Sequence, residues 1–513
     1  MRRSVALRSL VVAGLLALLP PTLTAAEDAP AADAVPEAWV TITSIEHRRG
    51  DPAGLDPFLA ADADPVAQTR AITALGRLGD RQGVAPRMRD LLRRGGPQTA
   101  HVLWAAGLVG AKSLVPDVLP YLERDPKTER DLVVAALLCL GRLGDRRADG
   151  YAAAFLDAED PTIVVAALDA LWRLGAERNL ERVLARPDKD PGVRRALALA
   201  AWRLAGARRT ALPPDKRAAF DGSALADGAL LRWARDKEPE TRLFALRALN
   251  ALLPEKLEQF AGIPGLSVVD APAIRVLLGA VNDTDPRIAA DVAFRLGGAH
   301  TGRDVVSALG SALGHPDVVV RETAADAVAA LATKEASLAR TRGMDPVGLQ
   351  SRMESETDAR VVAALRRARA ASGDESVVAS ILQVESDRTP EGWRDAVRLV
   401  AACPVASGTE RLTEILARPG LPTQARIAVL DALSERPAEP RFVAVAAPYL
   451  TDADPIARAG AAAVLAHHAT GTDGADAQAV AALVAAYRPE GGRADVDSRQ
   501  ASVEALGEIA AHE

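Results

Sequence analysis

Along most of the chain, apolar residues recur at helical spacing, and each run is opened by an acid–proline step and closed by leucine–glycine. The stretch Ala63–Leu92 is the clearest example. Asp64-Pro65 leads into an alanine- and leucine-rich run ending Ala74-Leu75-Gly76-Arg77-Leu78-Gly79-Asp80. A shorter run follows, with Val84, Met88, Leu91 and Leu92 on one face. The spacing predicts a helix, a tight glycine turn and an antiparallel second helix. Such a pair cannot bury its apolar face alone. Ala71, Ile72 and Leu75 of the first helix correspond to Ala136, Leu137 and Leu140, then to Ala167, Leu168 and Leu171. Three or four apolar positions per two turns imply one buried face. The intervening position holds Thr73, Trp104, Leu138, Asp169 or Arg247, the variation expected where a side chain meets solvent.

The punctuation repeats. Steps occur at Asp64-Pro65, Gly96-Pro97, Asp125-Pro126, Asp160-Pro161, Asp190-Pro191, Glu238-Pro239, Asp285-Pro286 and His315-Pro316. Further steps fall at Asp358-Ala359, Thr389-Pro390, Leu421-Pro422 and Asp454-Pro455, and the last, near Asp497-Ser498, lacks proline. The mean step from position 65 to position 455 is near 35 residues. An aspartate at such a step accepts a hydrogen bond from an otherwise unpaired N–H, and proline at the first turn has no N–H to waste. Leu78-Gly79, Leu143-Gly144 and Leu174-Gly175 supply the stops. Repeats of this period stack into arrays in which each unit touches its neighbours.

The unit resembles a HEAT repeat, on the Asp-Pro-x-Val opening, the arginine a few residues on (Arg70, Arg194, Arg242, Arg458) and the Ala-Leu-Gly-Arg-Leu-Gly-Asp close. It is most similar to the short bacterial kind also found in phycobilisome lyase subunits. The resemblance runs from about Asp51 to the C-terminus. It implies an all-α fold, a right-handed α-α superhelix of the HEAT-type α-solenoid class, serving as a protein-binding scaffold. Ile45-Glu46-His47-Arg48-Arg49 also resembles repeat regions that accompany secreted peptidyl-prolyl isomerases.

The expected organisation is a signal peptide over 1–26, a flexible linker over 27–38, and a solenoid of about 12–13 helix pairs over 39–513. Insertions are expected near 208–237, with an extra helix around Ala224–Trp233, and near 262–272 and 334–350. Trp39–Arg49 is expected to be a partial helix covering the first pair. Arg2, Arg3 and Arg8 precede the apolar run Leu10–Leu19, and Thr24-Ala25-Ala26 fits a cleavage site before Glu27. Pro20-Pro21 ends the run short of the roughly 20 residues that a membrane span needs. These features predict a periplasmic or extracellular protein without a membrane span.

Half the residues are apolar but only 3% are aromatic, which suits thin helices packed closely. The net charge is −6, and removing the first 26 residues, with three arginines and no acid, makes it −9. Phosphate-backbone binding is disfavoured at that charge, so no nucleic-acid partner is expected. Cys139 and Cys403 sit in apolar helical contexts far apart in the array and read as buried small hydrophobes, not a disulfide.

The Asp-x-Asp pairs Asp62/Asp64, Asp188/Asp190, Asp283/Asp285, Asp452/Asp454 and Asp495/Asp497 suggest calcium, yet the full loop of oxygen ligands is missing. Of His467-His468, one ring is expected packed and one exposed, with no third zinc ligand at hand. The sequence has no glycine-rich phosphate loop, no H-E-x-x-H and no serine-nucleophile motif. Arg87/Arg89/Arg93/Arg94 and Arg366/Arg367/Arg369 read as solvated faces, and Trp104, Trp172, Trp202, Trp233 and Trp393 as packing between adjacent units. No catalytic, cofactor-binding or metal residue is assigned. The sequence therefore points to an exported, non-enzymatic scaffold that binds a protein or peptide along a concave face made by second helices. The alternative is an accessory subunit or arm of an enzyme, lyase-like or isomerase-associated.

Overall fold

A computed structural model describes residues 36–187, 189–217, 220–255, 257, 272–334, 346–374, 376–378, 389–403, 406–469, 475–487 and 496–512. The expected signal peptide, most of the linker, and the cores of the insertions at 262–272 and 334–350 lie outside these residues. Among the described residues every regular element is helical. The chain divides into two compact units at Leu174/Gly175.

In the first unit, the helices Glu37–His47, Pro65–Leu78, Thr99–Val109, Arg130–Leu143 and Pro161–Leu174 pack one on the next in chain order. Glu37 and Ala38, expected to be linker, are already helical. Trp39–Arg49 falls largely in the helix Glu37–His47, which packs on Pro65–Leu78 and so covers the first pair as expected, and it is followed by the turns Pro52–Leu55 and Asp56–Leu59. Among the second helices, Val84–Arg94 is regular. Its counterparts at 112–121 and 146–157 are broken into short α and 3-10 turns. Ala71, Ile72, Leu75, Ala136, Leu137, Leu140, Ala167, Leu168 and Leu171 are all buried, as the periodicity predicts.

In the second unit, Pro191–Thr210, Pro239–Leu252, Pro286–Ala299, Val318–Lys334, Ala359–Ala371, Pro390–Ala402, Thr423–Ser434, Pro455–His468 and Val496–His512 pack serially. The insertion at 208–237 holds Pro214–Arg217, Ser223–Ala226 and Ala229–Trp233. The extra helix is thus two short ones, split at Gly228, whose φ of 82° suits glycine. Trp233 is buried and anchors the segment. At 334–350 the insertion resumes as the helix Pro346–Ser355.

Most openings work as expected. Asp64 accepts from the Ala67 N–H at 2.8 Å, Asp160 from Thr162 at 2.7 Å, Asp190 from Val193 at 2.9 Å and Asp454 from Ile456 at 2.8 Å. Three steps differ. Gly96-Pro97 precedes a helix that begins at Thr99. Asp125-Pro126 forms a separate turn, and the helix begins at Arg130. At His315-Pro316 the cap is Asp317, whose Oδ1 accepts from Val319 at 2.8 Å, and the helix begins at Val318. A second capping residue just downstream takes over the start there, and proline stays outside the helix.

First helices approach closely where glycine removes the side chain. A Cβ on Gly141 would stand 2.8 Å from Ala170 Cα, and one on Gly297 would stand 2.5 Å from the Ala327 carbonyl oxygen.

Candidate functional site

The paired acids divide their work. In each of four loops the second acid caps the coming helix, while the first binds an arginine from the preceding repeat. Arg242 meets Asp283 through Nε at 3.0 Å and Nη2 at 2.8 Å, and its Nη1 donates to the carbonyls of Asp236 and Lys237. Asp283 Oδ1 also accepts the Asp285 N–H at 2.8 Å. Arg321 and Glu356 repeat this at 2.7 and 3.0 Å, Arg194 and Asp236 at 2.6 Å, and Arg426 and Asp452 at 2.8 Å. Guanidinium hydrogen bonds hold Glu356 down at about 2.

The calcium reading of Asp283 and Asp452 thus gives way to an arginine–carboxylate ladder that joins neighbouring loops. Asp188 and Asp495 lie outside the described residues. Asp236 and Glu356 were missed by an Asp-x-Asp search. A search for any acid two positions before a capping acid finds both, as Asp236/Glu238 and Glu356/Asp358. Among the described residues no cluster of three His, Cys, Asp or Glu side chains is placed to hold a metal.

Members of the arginine clusters are tied to neighbouring groups of the chain. Arg87 Nε meets Asp56 at 2.6 Å, while Arg89 and Arg93 share Asp117 at 3.1 and 3.0 Å. Arg94 donates to the Leu59 carbonyl at 2.9 Å. Arg367 pairs with Asp326 at 2.6 Å and Arg369 with Asp374 at 2.5 Å. Apart from the local Arg369–Asp374 pair these contacts reach backward and forward along the repeat, while Arg366 is exposed, so the clusters are solvated faces only in part.

His468 is buried and His467 exposed, as expected. Nδ1 of His468 accepts the Glu439 N–H at 2.9 Å, and Nε2 lies 2.9 Å from the Leu433 carbonyl. His467 Nε2 lies 2.7 Å from the Arg436 carbonyl. Burial, more than any neighbouring group, holds His468 below its ordinary value of 6.5. Both of its ring nitrogens are engaged by backbone. His300, also buried, sits between the Pro254 carbonyl at 2.9 Å and Asn250 Oδ1 at 3.1 Å.

Positions expected to meet solvent on the first helices are half-buried, because they pair with neighbouring groups. Thr73 Oγ1 lies 2.9 Å from His101 Nε2, and Asp169 binds Arg173 at 2.7 Å. In the second unit, Asp291 bridges Arg247 at 2.6 Å and Arg295 at 2.7 Å. Burial raises the Asp291 pKa, and the two guanidiniums more than offset it, for a net lowering. Beside this bridge Trp202 stacks on Phe244, with centroids 5.8 Å apart and planes at 10°. Guanidinium carbons of Arg203, Arg247 and Arg295 lie 4.1, 4.6 and 5.9 Å from the Trp202 ring. Trp202 does pack between repeats, as expected. The arginine shell was not legible, since its members share no common offset from the helix starts.

Where the Arg130 helix starts late, a cleft of about 800 Å³ opens between Asp125–Leu132 and Ala158–Ile163. Its walls carry Asp125, Lys127, Glu129, Arg130 and Asp160. The Thr128 hydroxyl donates to Asp125 Oδ2 at 3.3 Å.

Serial helix pairs opened by acid caps and joined by an arginine–carboxylate ladder define an all-α, HEAT-type α-solenoid. Yeast importin-beta (Kap95p) has a similar solved structure, at a TM-score of 0.54 and 14% identity, covering 90% of this chain and 68% of that one. A second importin-beta structure, crystallised in an ammonium sulfate condition, aligns at 0.56 and 12% identity, covering 93% and 71%. At these identities the likeness is one of fold. No protein-family model matches the chain, and no curated protein does.

Proposed function

We propose that this chain is an exported, non-enzymatic HEAT-repeat scaffold that binds a protein or peptide along the surface of its second helices. The observation that carries the reading is the serial packing of helix pairs within each unit. This packing lays consecutive second helices in a row and builds a long surface from short elements. The polar groups most suggestive of chemistry are committed to joining repeats: the acid pairs to arginines and caps, and the rings of His467 and His468 to backbone groups. Export rests on the basic, apolar and small-residue order of the first 26 residues. No helix among the described residues is long and apolar enough to cross a membrane. The solenoids it resembles in fold support a scaffold by analogy, since fold alone does not fix function.

The test is site-specific photo-crosslinking from second-helix positions such as Arg93 and Arg441 in the native exported fraction. The expected result is one recurrent protein adduct whose yield falls when neighbouring second-helix residues are substituted. Recovery of the chain solely from the cytoplasm, with residues 1–26 retained, would overturn the export reading. Substrate turnover by the purified protein, lost on a point substitution, would overturn the non-enzymatic one.

A further inference from the structure

The step at His315-Pro316, like that at Asp125-Pro126, leaves its proline outside the helix, and a cleft lies beside it. It encloses about 360 Å³ between the turns at 313–316 and 355–357, which follow the second helices Arg303–Ala312 and Pro346–Ser355. Among the described residues Glu356 is the cleft's one carboxylate, and four N–H groups saturate it. Arg321 donates through Nε and Nη2 at 2.7 and 3.0 Å, and the backbones of Thr357 and Asp358 donate at 3.0 Å each. Arg321 gives its Nη1 to the carbonyls of His315 and Pro316. That pair is neutral and fully engaged.

Donors are left over. Arg352 is exposed, and among the described residues it makes one hydrogen bond, from Nη1 to the Leu313 carbonyl at 3.3 Å. Its Nε and Nη2 have no protein acceptor there, and no carboxylate pairs with it. Nδ1 of His315 accepts the Asp317 N–H at 3.0 Å, which puts the ring proton on Nε2, again without an acceptor. The Thr357 hydroxyl, on the same wall, also has none. Gly314 leaves the guanidinium room, since a Cβ there would stand 3.3 Å from Arg352 Nη1.

We propose that this cleft holds the carboxylate side chain of an aspartate or glutamate from a protein partner. Arg352 is its ion-pair partner, and His315 Nε2 and the Thr357 hydroxyl are further donors. The Arg321–Glu356 pair cancels, so Arg352 leaves one positive charge to match one monoanion. A phosphate dianion would carry a second charge against the Glu356 carboxylate. A neighbouring cleft of about 660 Å³, lined by Asn282, Asp283 and Asp317, meets this one at 314–316. A chain lying along both runs past Arg352 without ending there, so the carboxylate belongs to a side chain and not to a C-terminus. The inference names the partner's chemistry and rests on the second-helix reading for that partner being a protein.

The test is methyl NMR of the full chain, read at Leu313, Val361 and Leu365, which line the cleft. The probes are Gly-Glu-Gly and Gly-Gln-Gly, both acetylated and amidated, acetylated Gly-Gly-Gly with a free C-terminus, and inorganic phosphate. The expected result is saturable shifts with the glutamate peptide that weaken as salt rises, none with the glutamine peptide, and weaker binding of the other two. Arg352→Gln, with the fold checked by circular dichroism, weakens glutamate-peptide binding about tenfold, the loss of one charge-assisted contact. Arg77→Gln, at an exposed arginine in the other unit, leaves it unchanged. Equal shifts with glutamate and glutamine, unchanged affinity in Arg352→Gln, or tighter binding of phosphate or of the free C-terminus would each overturn the proposal. The adducts expected from Arg93 and Arg441 depend on none of these outcomes, so the two readings fail separately.

Discussion

The backbone N–H of Glu439 donates to Nδ1 of His468 at 2.9 Å, so the ring keeps its proton on Nε2, facing the Leu433 carbonyl. A second proton would set two donors against each other in a buried site. The Phe442 ring lies 4.9 Å away.

Stability should therefore fall with acid in a defined window. The unfolded imidazole takes up a proton near 6.5, and the folded one only at lower pH. The unfolded state then binds more protons, so stability is complete above 6.5 and declines as pH drops toward the folded pKa. His101, also held down by burial, adds to the same window. Thermal denaturation across this range should show the decline, and His468→Gln should shallow it while lowering stability at alkaline pH by about 1–2 kcal/mol. Glu356 acts in a separate window, its contribution present above 4.5 and lost between there and about 2.

The ladder pairs should outrank the surface pairs. Side chains of Arg242 and Asp283 are 13% and 11% exposed, whereas Asp56 opposite Arg87 is 52% exposed. Arg242→Ala strands a carboxylate and two loop carbonyls and should cost about 3 kcal/mol. Arg87→Ala should cost about 0.5 kcal/mol. Urea denaturation of both variants checks the order, and a double-mutant cycle with Asp283→Asn isolates the coupling.

Glycine-to-alanine changes should have opposite signs at two helical positions. Gly206 has open space where a Cβ would go, so Gly206→Ala should stabilise by about 0.5–1 kcal/mol through helix propensity. At Gly297 the added carbon meets backbone of the next first helix, and Gly297→Ala should destabilise by about 1–3 kcal/mol. The same denaturation measurement decides both.

Capping by Asp454 should be worth about 1 kcal/mol, since its carboxylate serves the N–H groups of both Ile456 and Ala457. Asp454→Ala should lose that amount and Asp454→Ser most of it back, read as a shift in the urea midpoint.

Helix faces and caps were legible because they depend on neighbours three or four residues apart. Ala71, Ile72 and Leu75 follow from period alone, and Asp190 from the proline beside it. Proline misled at Pro126 and Pro316, where a turn or a later aspartate claims the helix start. Partners across repeats were not legible because the sequence separation between successive first helices varies from repeat to repeat. The same arginine–carboxylate contact spans 41 residues at Arg242–Asp283, 35 at Arg321–Glu356 and 26 at Arg426–Asp452. The Trp202 cluster depends on the relative rotation of three helices, which no single-helix pattern encodes.

Cys139 and Cys403 are both fully buried, one in each unit, and burial pushes the Cys139 thiol up to about 12. A thiol there is protonated and shielded at neutral pH, hence unreactive toward oxidants and alkylating reagents while its surroundings stay closed. Each sulfur thereby acts as a chemical clock for its own half of the chain. Labelling rates at the two positions, followed separately by mass spectrometry, time the opening of one half independently of the other.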